Sequence, residues 1–270
     1  MSRDKKRKRH RKSEEGTSEH VAKKQATEPL PEGVHFYQHL SEVPWDIQKY
    51  WKQGYEIFSR YDEGIWMTDN SWFEVTHEAI ASKIANHLGQ GAPKERVVVL
   101  DPFCGVGGNV IALAQSDRFK RVYAIEKDPV ALTCAKHNAE IYGVADRITW
   151  FEGDCFEQLG KDDNSALVNL IRKHGVVIAS PPWGGPSYKS ADVFDLETME
   201  PYKLSELHKT FTGICDYVAL YLPRTSDLNQ VSRLVGRGNS QVIHYCTRGM
   251  SRALCVYFGD WGKIEERIDI

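Results

Sequence analysis

The heptapeptide Ser180-Pro181-Pro182-Trp183-Gly184-Gly185-Pro186 is a stretch whose residue types suit a definite chemical task. Two adjacent prolines fix an extended, rigid loop with no N–H donors at those two positions. Its carbonyls and the Ser180 hydroxyl can accept hydrogen bonds from a planar amine. Trp183 offers a flat face on which a base can stack, and the glycines behind it leave room for that base. An exocyclic purine amine is a poor nucleophile because its lone pair is delocalised into the ring. Acceptors aimed at its N–H groups draw the nitrogen towards pyramidal geometry and restore the lone pair. Opposite a strong electrophile such a loop needs neither a general base nor a metal, because positioning and electrostatics do the catalysis. Ser180, Pro181, Pro182 and Trp183 are therefore the candidate catalytic residues, although Pro-Pro-Trp alone also fits a proline turn with a core tryptophan.

A second constellation lies upstream. Asp101-Pro102-Phe103-Cys104-Gly105-Val106-Gly107-Gly108-Asn109 follows an apolar run. Glycines here let the backbone approach a ligand, and the helix start that follows offers free N–H groups. This is not the dinucleotide fingerprint, because the third glycine is missing from its place and an aspartate opens the turn. An ammonium-bearing cofactor would explain that aspartate, and the methionine moiety of S-adenosylmethionine has one. Glu126, at the next strand end, can accept both hydrogen bonds of a ribose diol. Asp154-Cys155, at the third, can meet an adenine amine. Each acid has a plain explanation by itself, since Asp128 and Asp154 cap helices. Three acids at three successive strand ends, with the glycine turn at the first, point to a nucleoside cofactor held by Asp101, Phe103, Gly105, Gly107, Asn109, Glu126, Asp154 and Cys155.

These positions require strands alternating with helices. Val97–Leu100 reads as a strand buried on both faces. Further strands are expected at Arg121–Ile125, Ile148–Phe151, Val176–Ala179, Tyr217–Leu222, Gln241–Tyr245 and Ala253–Phe258. Helices are expected near 107–116, 128–142, 165–173, 203–213 and 226–235. The pattern implies an α/β, doubly wound, seven-stranded Rossmann-like sheet. A short break at Cys246–Arg252 makes its last two strands an antiparallel hairpin. That outline is the class I methyltransferase one, much of it shared with dehydrogenases. Upstream, an apolar stripe predicts a helix from Pro44 to about Phe58. Thr76 is expected to cap a second helix carrying Ile80, Ile84 and Leu88. The expected organisation is a disordered basic tail over 1–33, a helical extension over 34–90 that closes over the active site, and a catalytic core over 91–270.

Charge is distributed unevenly. The first thirty residues carry ten Lys/Arg and five Asp/Glu, leaving 25 basic and 32 acidic residues in the rest, a net of −7. So acidic a body argues against a diffuse grip on long RNA and for local contacts only. Lys5-Lys6-Arg7-Lys8-Arg9-His10-Arg11-Lys12 reads as a nuclear import signal, with Lys23-Lys24 as a second half. No apolar run reaches membrane-spanning length, so no membrane partner is expected. The six cysteines form no C-x-x-C pair, and no metal-ligand cluster stands out, so reduced core thiols without metal are expected.

The two motifs together resemble the trimethylguanosine synthases, the cap-specific guanine-N2 methyltransferases. The likeness extends through Lys49-Tyr50-Trp51, Phe58-Ser59-Arg60, Trp72-Phe73-Glu74-Val75-Thr76, Asn138-Ala139-Glu140, Leu222-Pro223-Arg224 and Tyr257-Phe258-Gly259-Asp260. Ser-Pro-Pro-Trp by itself is shared loosely with amino-methyltransferases of adenine and cytosine. An enzyme acting on an internal RNA base, adenine N6 or ribosomal guanine N2, is the alternative. The resemblance implies S-adenosylmethionine as cofactor and the 7-methylguanosine cap of small nuclear and nucleolar RNAs as substrate, with two methyls added at N2. It implies that Trp183 stacks on the cationic 7-methylguanine, which suits an indole face. Ser180 and Pro181-Pro182 would line the N2 edge. Lys49, Tyr188 and Arg224 would hold the cap phosphates, and Phe58 and Thr76 would close over the cofactor. The short basic tail resembles the compact fungal forms. A nuclear location, with the nucleolus favoured, and contacts of the tail with snRNP or snoRNP proteins are further implications. Two departures stand out: Glu126 where aspartate is common, and an unfamiliar stretch at 236–252.

Overall fold

The computed structural model describes residues 29–185, 192–235, 239–247, 249–264 and 267–269, the last three for backbone alone. Apolar runs flanked by turn residues become Val98–Asp101 (β1), Arg121–Glu126 (β2), Ile148–Glu152 (β3), Gly175–Ala179 (β4) and Val218–Pro223 (β5), all mutually parallel. Ser240–Thr247 (β6) and Met250–Phe258 (β7) form the expected antiparallel hairpin, with β7 lying antiparallel against β5. The order is β3-β2-β1-β4-β5-β7-β6, extended by a three-residue β8 (Arg267–Asp269) parallel to β6. The expected strands all form, and β8, too short to show a pattern, is an addition. The hairpin break is tighter than expected, because β6 runs to Thr247 and β7 starts at Met250.

Strand periodicity of two sorts the core into two layers. Val99, Val122, Ala124, Val176, Ile178, Ala219 and Tyr221 face one cluster. Val98, Leu100, Ile125, Val177, Ala179, Val218 and Leu220 face the other. The first layer is covered by the short helices Gln48–Trp51 (α1), Gly54–Ile57 (α2) and Ser71–Glu74 (α3), and by Glu78–Gly91 (α4), Gly108–Gln115 (α5) and Pro129–Ile141 (α6). The second is covered by Cys155–Gly160 (α7), Ser165–His174 (α8), Leu204–Ile214 (α9) and Leu228–Val235 (α10). Asp128 caps α6 through Val130 N at 2.8 Å, and Asp154 caps α7 through Phe156 N at 2.9 Å, as expected. Among the described residues no helix is long and apolar enough to cross a membrane.

Two expectations need correction. The single helix from Pro44 to Phe58 is instead two four-residue helices, α1 and α2, broken at Lys52-Gln53. A Cβ on Gly54 would sit 3.4 Å from the Tyr61 ring, so this glycine serves close packing rather than helix continuity. Thr76 does not cap α4. That helix starts at Glu78 with His77 in the N-cap position and no side-chain cap, while Ile80, Ile84 and Leu88 are buried as expected. Residues 1–28, including the basic motif, lie outside the described residues.

One buried side chain ties the N-terminal segment to the core. Asn138 of α6, wholly buried, accepts from Trp66 N at 2.8 Å and donates to Trp66 O and Val106 O, each at 2.9 Å. It thus pins an N-terminal loop and the glycine turn to the same helix. Trp66 stacks on His137 with ring centroids 3.7 Å apart. Replacing Asn138 by alanine takes the partner from one buried and two part-buried backbone groups, so Asn138→Ala is expected to lower stability by about 2 kcal/mol, read as a reduced midpoint in urea unfolding with an unchanged slope.

Candidate active site

The sheet reverses its winding between β1 and β4, and loops leaving those strands in opposite directions open a crevice at their carboxyl ends. A cleft of about 360 Å³ lies there. The loops after β1, β2, β3 and β4 all contribute to its walls, as does the stretch from Thr68 to Thr76 that contains α3. Ser180, Pro181, Pro182 and Trp183 line it, together with Phe103, Gly105, Asn109, Glu126, Cys155 and Thr76. The two sequence constellations therefore share one chamber.

The β1 turn is held from below. Asp101 is wholly buried beneath the floor, and its Oδ1 accepts from Phe103 N at 3.1 Å. Its Oδ2 has no partner among the described residues, and neither has the buried Oδ1 of Asn109. Burial pushes the Asp101 carboxyl up to about 7; the Phe103 amide opposes the shift and the Glu126 charge adds to it. Glu126 accepts from Gly105 N at 2.7 Å and from Asp128 N at 2.9 Å. Burial raises its pKa, against those amides. Gly108 allows the N-terminal segment to approach, since a Cβ there would fall 2.9 Å from Val75 Cγ2 and 3.1 Å from Thr76 O.

The acceptor loop leaves β4 through buried Pro181 and half-buried Trp183, whose Nε1 donates to Tyr221 O at 3.3 Å. Gly184 and Gly185 follow with φ of 82° and 80°, a left-handed pair that side chains rarely adopt. Burial pulls the Asp154 pKa up, but bonds from the Tyr202 hydroxyl and the Phe156 and Glu157 amides, with the Lys127 ammonium, outweigh it and hold the group below its ordinary value. Two thiols border the chamber. Burial drives Cys104 far above the ordinary thiol range and Cys155 to about 12.

Not every expected residue reaches the cleft. Asp101 and Gly107 lie behind its lining, and Asp154 stands beside it, bonded to Tyr202 and Lys127, which do line it. Phe58 is 2 % exposed and packs on Tyr142, away from the lining. Lys49 and Arg224 are exposed and outside the lining, and Tyr188 and Pro186 lie outside the described residues. Sequence reasoning missed Tyr202, which packs against Phe103 and Phe156 with ring centroids 5.5 and 4.8 Å away. It also missed Asn70 and Glu74 at the wall, and read Asp128 as a cap only. No local pattern marks Tyr202, which meets Asp154 across a separation of 48 residues. Among the described residues no group of three or more His, Cys, Asp or Glu side chains could hold a metal.

Sheet order, terminal hairpin and a cleft at the switch point define the class I methyltransferase architecture. A solved structure of a candidate methyltransferase from Porphyromonas gingivalis shares the fold, with a TM-score of 0.59 at 16% identity over 81% of this chain and 51% of that one. The trimethylguanosine synthase of Schizosaccharomyces pombe is 37% identical over 233 residues, covering 84% of this chain and 91% of that protein. The trimethylguanosine synthase of Saccharomyces cerevisiae is 40% identical over 188 residues, covering 68% and 57% respectively. A family model described as RNA cap guanine-N2 methyltransferase matches residues 96–261. The chain belongs to the RNA cap guanine-N2 methyltransferase family. Its cofactor is S-adenosylmethionine, and the residues present fit it: the unpartnered acceptors of Asp101 and Asn109 suit an ammonium, and half-buried Glu126 keeps lone pairs for a diol.

Proposed function

We propose that this enzyme converts the 7-methylguanosine cap of small nuclear and nucleolar RNAs to the 2,2,7-trimethylguanosine form. The observation that carries the reading is the shared chamber, in which the Ser180–Gly185 acceptor loop and the Asp101–Asn109 turn line one cleft in a chain of this family. The names of the two yeast relatives support the trimethylated product. They also favour nuclear RNA processing; the nucleolus as compartment and the basic tail as contact to snRNP or snoRNP proteins are part of the proposal, and rest on the resemblance and on the Lys/Arg run at 5–12.

Bound in the cleft, S-adenosylmethionine supplies an electrophilic methyl group. Asn109 at the lining would receive its ammonium, with the buried Asp101 carboxylate behind it as the counter-charge, Glu126 its ribose diol, and Asp154 with Cys155 its adenine edge. Residues 34–90 close the chamber on core residues 91–270, bringing Thr76 and the α3 wall over the cofactor, with Phe58 supporting them from the core. The Ser180 hydroxyl and the loop carbonyls accept from the guanine N2 amine, raising its nucleophilicity and aligning it. Trp183 stacks on the base, whose N7 methyl leaves a delocalised positive charge. Lys49, Arg224 and Tyr188 hold the cap phosphates. The proton leaves N2 after transfer, when the nitrogen is cationic and acidic, so water suffices as its acceptor.

Three outcomes follow. Mass spectrometry of 7-methyl-GTP incubated with enzyme and S-adenosylmethionine is expected to detect one and then two added methyls, while unmethylated GTP stays a very poor substrate; equal rates on the two would sink the cap reading. Trp183→Ala is expected to cost roughly 1–3 kcal/mol in kcat/KM with cofactor affinity nearly unchanged in calorimetry. An ammonium beside Asp101 favours its carboxylate, so the complex holds fewer protons than the free enzyme. Cofactor affinity should therefore fall as pH drops below about 7, with proton release seen in buffers of differing ionisation enthalpy. Asp101→Asn should abolish this release.

A further inference from the structure

The β6–β7 hairpin is irregular at one place. Cys246 lies opposite Ser251 and Tyr245 opposite Ala253, so Arg252 is an extra residue with no partner of its own. Such a bulge bends its strand and re-aims a side chain, and bulges recur beside active sites. Regular alternation would send Arg252 the way of Leu254 and Val256, into the layer of α8, α9 and α10. Instead Arg252 is half-exposed, where Leu254 and Val256 are buried. Burial holds the His77 imidazole below its ordinary value and Arg252 lowers it further, against the pull of Glu56. Glu56 Oε2 lies 3.9 Å from His77 Nδ1. Thr247 Oγ1 accepts from Arg252 Nε at 2.5 Å and fixes the stem. Among the described residues this is the bond Arg252 makes, so its two terminal amino groups remain as a phosphate-binding fork.

Position gives that fork a purpose. Ala253 pairs with Pro223, so Arg252 stands at the carboxyl end of β5, the end of the sheet that bears the cleft. Arg224, the next residue along, donates from Nη1 to Ser251 O at 3.3 Å. His77 adjoins Thr76, which lines the cleft. Two guanidinium groups, one from the end of β5 and one from the bulge, therefore lie at the cleft-bearing end of the sheet, outside the lining of the cleft. A free nucleotide would need only one of them, whereas a polynucleotide leaving the cap carries a phosphate at every step.

We propose that Arg252 holds a backbone phosphodiester of the RNA chain that follows the cap, beside the cap phosphates at Arg224. This rests on the reading of the cleft as a cap methyltransferase site. A single contact of this kind suits a body with a net charge of −7 outside its first thirty residues, which has little capacity for a long electrostatic track.

The test compares 7-methyl-GTP with a short 7-methylguanosine-capped RNA as methyl acceptors. In Arg252→Ala the KM for capped RNA is expected to rise about five- to tenfold, with kcat unchanged and both parameters for 7-methyl-GTP unchanged. The dependence of log KM on log salt for the capped RNA should flatten by about 1. Arg252→Lys, which keeps the charge but loses the fork, should recover most of the salt dependence and only part of the affinity. An equal loss on both substrates would make Arg252 a structural or cap-site residue and overturn the proposal, and so would no loss on either. If wild-type enzyme methylates neither substrate, the cap reading falls and takes this proposal with it. If wild type methylates both and Arg252→Ala does not separate them, only this proposal falls.

Discussion

Three loops of the active site are held by one residue. Glu126 receives Gly105 N on one carboxylate oxygen and Asp128 N on the other, and its backbone carbonyl takes Gly153 N at 2.8 Å. The turn after β1, the start of α6 and the turn after β3 are thereby fixed to the end of β2. Charge-assisted bonds of this type are shorter and stronger than neutral ones. They also let a half-buried carboxylate stay in place despite the desolvation that raises its pKa. The Glu126 side chain crosses from β2 to the β1 turn to make the first of these bonds. The same two oxygens can brace the loops and serve the proposed ribose contact, because each has a second lone pair.

The N-terminal segment is part of this arrangement rather than an appendage to it. Asn138 fixes Trp66 and Val106 to one helix, and Gly108 gives Thr76 the room to lie against the glycine turn. Glu78 accepts from Ser59 N and from the Tyr142 hydroxyl, each at 2.6 Å, joining α4 to the preceding loop and to the end of α6. A wall built this way has a set distance from the floor, which is what orientation of two reactants demands.

Much of the core was legible in the sequence because its central strands β1, β4 and β5 are buried on both faces. Val98–Leu100 and Val176–Ala179 need no alternation to be recognised, and the acids and prolines that follow them mark where the strands stop. The site's floor could be read for the same reason. Its walls could not. Tyr202 reaches Asp154 only because α9 returns to the sheet from the second layer, a contact no local pattern encodes. Thr76 before an amphipathic stretch has the local signature of a cap, but the close approach at Gly108 gives its backbone another position and leaves His77 to begin the helix. The stripe through Pro44–Phe58 correctly marked buried residues such as Ile47 and Ile57, yet burial alone does not distinguish one helix from two.

The two thiols at the chamber have a consequence for reagents rather than for substrates. Cys104 and Cys155 border a cleft open to small molecules, which would ordinarily invite alkylation or oxidation. Both reactions need the thiolate, and burial with neighbouring carboxylates keeps these groups protonated far above neutral pH. The chamber is therefore lined with sulfur that is chemically quiet. Electrophilic inhibitors aimed at these cysteines would meet thiols there rather than thiolates.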